Sequence, residues 1–379
     1  MSSLPGSSAI VSGKKAGRLD AITAQPTPTQ STWGQRRSTR EEVLKSQSMG
    51  LRGILIATML GATALTSGAQ AADKIRIMVG GLEKQIYLPF MLTQRLGYFT
   101  EQGLDVELLS EPSGVDAEDE MLAGAVQGVG GFYDHCVDLQ SKGKFAQSVV
   151  QINGSPGEVE LVSTKHPEIN SPADFKDKSL GVTGLGSSTN FLTQYLAVKN
   201  GVKLGEFSSV AVGAGDTFIA AMQQDKIQAG MTTEPTISRL LKTGEAKILV
   251  DLRSNADTKV ALGGPYPATS LYMATDYVEK HKDEVQKLVN AIVKTLHYID
   301  THSAGEIADQ MPKEYLVGDR DSYVKALEGG KGMYTKDGIM PEGGPETVLS
   351  VLSGFSKNVK GKTIDLSKTY TTEFVKAAK

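Results

Sequence analysis

The sequence predicts an α/β protein folded as two lobes around a central cleft, and three observations carry that expectation. From residue 74 to 274 short apolar, strand-like runs alternate with stretches of helical period. After residue 274 the strand signals stop and only helical periods remain. The chain of 379 residues is also long enough to bury two cores. A late return to pure helix places the final third on the first block and leaves the middle block as an inserted lobe. The lobes are then residues 72–160 with 266–379, and residues 161–265, joined by two crossings that act as a hinge.

Taken in order, Lys74 to Val79 reads as the first strand, followed by the loop Gly80–Gln85 and a helix through Met91, Leu92 and Leu96. Gln102-Gly103 closes that helix, with glycine suited to the left-handed residue after a helix end. Leu104 to Leu109 is the second strand, Asp116 to Ala123 a short helix, Val126 to Gly130 and Val149 to Ile152 the next strands. A second block opens near Glu160. There Ser171-Pro172-Ala173-Asp174 has the cap, the proline and the returning acid of a helix start. Ser179 to Val182 is a strand, and Gly184-Leu-Gly-Ser-Ser-Thr189 leads into a helix with Phe191, Leu192, Tyr195 and Leu196 on one face. Strands follow at Val210, Ala229–Thr232 and Ile248–Val250, with helices through Ile219–Met222 and Ile237–Leu241 between them. Beyond Pro265-Tyr266-Pro267, Ser270–Ala274 is the last strand. Val285, Leu288, Val289, Ile292, Leu296 and Ile299 then keep a period of about 3.6 along one long helix.

The N-terminal stretch stands apart. Residues 1–48 are rich in Ser, Thr, Gln and Arg without an apolar period and read as disordered, with Met49 as the true start. Residues 49–71 place Arg52 before a short apolar core and end in Gly68-Ala69-Gln70-Ala71, the order of a secretory signal peptide cut after Ala71. The apolar run falls short of the roughly 20 residues a bilayer span needs. Cys136 is the one cysteine, so no disulfide framework, CxxC motif or lipid-anchoring cysteine at the cut is available.

Composition excludes several classes. A net charge of -3 offers no basic face for phosphate backbones, so nucleic acid is not an expected partner. The five histidines show no metal-ligand pairing, since the spacing of His297 and His302 does not share a helix face. Gly184-x-Gly186-x-x-Thr189 is only part of a dinucleotide fingerprint, and no Gly-x-Ser-x-Gly elbow occurs. No catalytic residue, cofactor or metal is expected.

Three segments together resemble the substrate-binding proteins of the nitrate, sulfonate, taurine and thiamine-precursor group, the NMT1/THI5-like family. They are Pro89 to Glu107, which contains Gly97-Tyr-Phe and Gly103-Leu-Asp-Val-Glu; Ser171 to Gly186; and Ala220 to Pro235, with Asp225-Lys-Ile-Gln-Ala-Gly. The resemblance runs in order over about 73–310. It implies a type II periplasmic-binding-protein-like fold, and the signal peptide without a cysteine at its cut adds a freely diffusing periplasmic protein, expected as a monomer. It also implies a non-enzymatic role: a small molecule held between the lobes, and delivery to the permease and ATPase of an ABC transporter at the inner membrane. The family also contains a thiamine-pyrimidine synthase with a cysteine-rich iron site, a pattern that one cysteine cannot carry.

Candidate ligand residues lie in loops after strands, where open α/β sheets gather their sites. Gly186, Ser187, Ser188 and Thr189 at a helix start offer free N–H groups and hydroxyls to an anion, although the same residues serve equally as an ordinary cap. Phe132, Tyr133 and His135 follow a strand, the rings able to stack on a planar ligand and the imidazole to donate to an acid. Phe132 could equally be core and Asp134 a cap. The resemblance places the first ligand contacts in the loop that holds Glu83, Gln85 and Tyr87, while Glu234 and Tyr266 stand after a strand and beside the second crossing. The aromatic residues favour an organic anion, a sulfonate or an aromatic carboxylate, as ligand. The alternatives are a pyrimidine-like thiamine precursor, which Glu83, Asp134 and Glu234 would suit, or nitrate. From another class comes a small-molecule enzyme of the same fold.

Overall fold

The structure is a computed structural model that describes residues 74–316 and 319–378. The expectations for residues 1–48 and for the signal peptide 49–71 lie outside the described residues. No helix among those described is long and apolar enough to cross a membrane.

The strands are β1 (Lys74–Val79), β2 (Asp105–Ser110), β3 (Gly128–Phe132), β4 (Ala146–Gln151), β5 (Glu158–Ser163), β6 (Ser179–Val182), β7 (Ser208–Ala211), β8 (Ala229–Thr233), β9 (Ala246–Asp251) and β10 (Thr269–Ala274). They form two five-stranded sheets, in the orders β2-β1-β3-β10-β4 and β7-β6-β8-β5-β9. In each, three parallel strands are followed by an antiparallel fourth. That fourth strand is the one that arrives over a crossing, β5 into the second sheet and β10 back into the first. Each lobe is therefore completed by a strand that begins at the interlobe boundary.

The crossings run side by side. Gly157 N donates to Leu252 O at 3.1 Å, Leu252 N to Glu158 O at 2.9 Å, and Ala268 N to Asn153 O at 3.0 Å. A lobe boundary at residue 160 falls inside β5, which is bonded along its length to β8 and β9 and so belongs whole to the second sheet.

β1 and β6 occupy the residues expected from their apolar patterns. The helix expected at Ser171 is instead a single 3-10 turn, Pro172–Phe175. Its cap is present, with Ser171 N donating to the Asp174 carboxylate at 2.9 Å. Asp177 at a φ of 59° then turns the chain into β6 before a second helical turn forms.

The helix Lys282–Thr301 buries Val285, Leu288, Val289, Ile292, Leu296 and Ile299 in the core of the first sheet. The helix Gly344–Phe355 does something else. Its Val348, Val351, Leu352 and Phe355 share one buried apolar cluster with Phe191, Leu192 and Leu196 of the helix Ser188–Lys199 in the second lobe. The rings of Phe191 and Phe355 lie 6.0 Å apart. The last third of the chain thus contacts both lobes and stitches them along one side.

Candidate functional site

β1, β3, β6 and β8 all release their chains at the same cleft, and β5 begins there, with Glu158 directly opposite Thr233 on β8. Between the sheets lies a cavity with only about 10 Å³ open to the centre of a water molecule, room for roughly one. The first lobe lines it with Lys84, Tyr87, Phe132 and His135. The second lobe contributes Glu158, Thr183, Ser187, Ser188, Thr189 and Thr233. The lobes meet closely: a Cβ placed on Gly184 would lie 2.5 Å from Ser113 Oγ and 2.8 Å from Ser113 Cβ.

The hydroxyls at the start of the helix Ser188–Lys199 mostly bind one another. Ser187 Oγ donates to Gly184 O at 2.7 Å, Thr183 N donates to Thr189 Oγ1 at 3.0 Å, and the hydroxyls of Thr183 and Thr189 are 2.9 Å apart. This network shapes the turn after β6. Ser188 reaches the other lobe, donating to Asp134 Oδ1 at 2.8 Å, while Tyr266 donates to Asp134 Oδ2 at 2.8 Å. A buried carboxylate from the first lobe therefore sits at the electropositive end of the second lobe's helix, where negative charge is favoured. Burial raises the Asp134 pKa, with His135, Ser188 and Tyr266 pulling it back toward the ionised form.

His135 Nδ1 lies 2.6 Å from Glu118 Oε2, and Nε2 lies 3.9 Å from Asp134 Oδ1 without a hydrogen-bond partner. Burial disfavours the imidazolium, but the Glu118 carboxylate and its hydrogen bond outweigh that, and the pKa is raised. Lys84 Nζ donates to Gly80 O at 2.5 Å and Pro112 O at 2.8 Å. Burial lowers its pKa to about 8, against the pull of Glu83, Glu158 and Asp116. Glu158 is buried and pushed well above the usual carboxylate range by desolvation, then by Asp134, with Lys84 opposing. Its Oε2 and the Thr233 hydroxyl have no partner. Among the described residues no group of three or more His, Cys, Asp or Glu side chains could hold a metal ion.

Of the residues singled out in the sequence, Tyr87, Phe132, His135, Ser187, Ser188 and Thr189 come together around the cavity. Tyr266 stands behind them, bonded to Asp134. The others lie elsewhere. Tyr133 is in the core with its hydroxyl 2.5 Å from Thr369 Oγ1, because the residue after β3 turns inward to start the next helix. Gly186, at a φ of 95°, lines a separate surface groove with Leu185, Phe191 and Phe355. Glu83 is exposed beside Asp216 and Arg239. Gln85 is buried and donates to Tyr323 O at 3.0 Å. Glu234 is tied to Ser238 N at 3.0 Å and to Arg253 at 3.2 Å.

Lys84, Thr183, Glu158 and Thr233 were not singled out. For Glu158 a signal existed. Glu158 and Glu160 alternate within an otherwise apolar strand, a period that puts both carboxyls on one face of a central strand.

Two α/β lobes joined by two crossings, with a polar cavity where their strand ends face each other, define the periplasmic-binding-protein class of fold. Residues 86–304 match the family model described as NMT1/THI5 like, and the chain belongs to that family. A solved structure from Bordetella bronchiseptica is 34% identical with a TM-score of 0.78, over 80% of this chain and 96% of that one. An alkanesulfonate-binding protein from Xanthomonas axonopodis pv. citri, bound to MOPS, is 14% identical with a TM-score of 0.63, over 79% of this chain and 98% of that one. The periplasmic nitrate-binding protein of Synechocystis is 13% identical with a TM-score of 0.63, covering 81% and 88%. At those two identities the likeness concerns the fold. A 4-amino-5-hydroxymethyl-2-methylpyrimidine phosphate synthase of Saccharomyces cerevisiae is 25% identical over 239 residues, 60% of this chain and 68% of its own.

Proposed function

We propose that this protein is the periplasmic, non-enzymatic solute-binding component of an ABC importer, closing two lobes around a small organic molecule and presenting it to a permease and ATPase. The observation that carries this reading is the cavity itself. Both lobes line it, it is nearly closed, and it holds buried polar atoms without partners. Buried polar groups normally find partners, so unpaired ones facing a cleft are acceptors and donors reserved for something else. Small-molecule sites run to roughly 300–1,000 Å³, so the lobes must separate to load and close again afterwards. The solved relatives described as binding sulfonate and nitrate support the transport role.

The organic anion expected from the serine-rich loop has weaker support. Ser188 gives its hydroxyl to Asp134, and the helix start already faces that carboxylate. The yeast synthases favour a second reading, an enzyme of the same fold. Against it, Cys136 is fully buried and its thiol pKa is raised, the opposite of an activated nucleophile.

Mass spectrometry of small molecules released on denaturing freshly purified protein is the test. A stoichiometric, chemically unchanged solute is the expected result, and its conversion to a product on incubation would favour the enzyme. Periplasmic extracts should contain protein beginning at or near Ala72. A membrane-bound form that retains residues 49–71 would overturn the localisation.

A further inference from the structure

Resting on the solute-binding reading, we propose that the cavity takes a solute bearing an amine or amidine, whose N–H donors are received by the Glu158 carboxyl and the Thr233 hydroxyl. These two side chains are cross-strand partners on β5 and β8, 2% and 1% exposed, and both line the cavity with an oxygen that has no partner. An ionised carboxylate accepts only, and a hydroxyl accepts as well as donates, so once Glu158 gives up its proton the pair asks for donors.

The two bases that line the cavity, Lys84 and His135, stand against carboxyls of their own: Glu158 lines it with them, and Glu118 and Asp134 lie behind His135 at 2.6 and 3.9 Å. Several of the donors an anion would use are already engaged. Lys84 gives two of its N–H groups to Gly80 O and Pro112 O, Ser188 gives its hydroxyl to Asp134, and His135 gives one nitrogen to Glu118. The aromatic rings of Phe132 and Tyr87 on the facing wall suit a cation or a flat, electron-poor group. His135 Nε2, which also has no partner, can complement an acceptor on the same solute.

A pH dependence follows. The groups that face Glu158 are Lys84, Asp134, Glu160 and the phenols of Tyr87 and Tyr266. Burial keeps Glu158 protonated above the usual carboxylate range, so a cation must displace that proton and its affinity must rise with pH. An anion would show the opposite trend.

Thermal unfolding of the full protein against a fixed panel tests the proposal. The panel sets benzylamine, benzamidine, 4-aminopyridine and putrescine against methanesulfonate, benzoate and nitrate, at pH 6 and pH 8. The expected result is a higher melting temperature with one or more of the nitrogen bases, larger at pH 8, and no response to the anions. Glu158→Gln should weaken the responding base by about ten- to a hundred-fold, the loss of one charge-assisted bond. Thr233→Val keeps the side-chain shape, and it should weaken the same base should Glu158→Gln fail to fold. Stabilisation by an anion alone, retained in Glu158→Gln, would overturn the donor assignment and leave the solute-binding reading standing. Silence from every compound, together with no solute released on denaturation, would overturn both.

Discussion

Ser188 Oγ donates to Asp134 Oδ1 at 2.8 Å, and this bond crosses from one lobe to the other. It exists only when the lobes are together, so it contributes to the closed form and nothing to an open one. Ser187, not Ser188, is the residue before the helix, which removes a cap role from Ser188. Ser188→Ala should therefore shift the lobes toward opening with little loss of folding stability. Small-angle scattering should give a larger radius of gyration for the variant, with a melting temperature close to that of the parent. A large drop in melting temperature at unchanged size would assign Ser188 to folding instead.

Gly184 offers a steric version of the same experiment. Its added Cβ would meet Ser113, which is held in place by the Asp116 carboxylate at 2.6 Å. Gly184→Ala should prop the cleft open, enlarging the radius of gyration and weakening solute binding, while neither lobe's own core is touched. Unaltered size and binding would mean that Ser113 rotates away freely.

Phe355 tests the stitch between the lobes. It is 7% exposed in the cluster shared with Phe191, Leu192 and Leu196. Phe355→Ala should cost about 3 kcal/mol, the low end for a large buried ring. It should also speed amide exchange in both the helix Ser188–Lys199 and the helix Gly344–Phe355. Faster exchange confined to the second of these would argue that it does not couple the lobes.

Glu160 predicts how stability depends on pH. Desolvation raises its carboxyl from 4.5 to about 8, against a hydrogen bond from Thr193 at 2.7 Å. Between those values the folded chain holds a proton that the unfolded chain has released. Stability from this group is thus full below about 4.5 and is lost as pH rises toward 8. Glu160→Gln keeps an acceptor for Thr193 and should flatten the decline over that window, by a few kcal/mol at its upper end. Denaturant titrations at pH 5 and pH 8 measure it, and parallel changes in parent and variant would remove Glu160 as the cause.

Local chemistry was legible wherever one short stretch of chain decides the outcome. β1 and β6 follow from apolar runs bounded by polar loops, and the helix Lys282–Thr301 from its one apolar face. The turns after β3 and β6 follow from their position at strand ends, and Phe132 at the end of β3, with His135 and Ser187–Thr189 at the helix starts that follow, reaches the cavity. The turn at Pro172–Phe175 has the signals of a helix start, but Asp177 and the approach to β6 stop it after one turn.

The sequence by itself determined the alternation of strands and helices, the two-lobed class and the family, because these rest on periodicity and ordered motifs within single segments. Only the tertiary structure decided that Asp134 meets Ser188, that Glu158 and Thr233 face the cavity unpaired, and that the helix Gly344–Phe355 joins both lobes. Those relationships link residues far apart in the chain, and no local pattern records which distant surface a side chain will meet. Burial then changes the chemistry of what it encloses. A glutamate in an apolar strand reads as an ordinary charge until the fold removes the water around it.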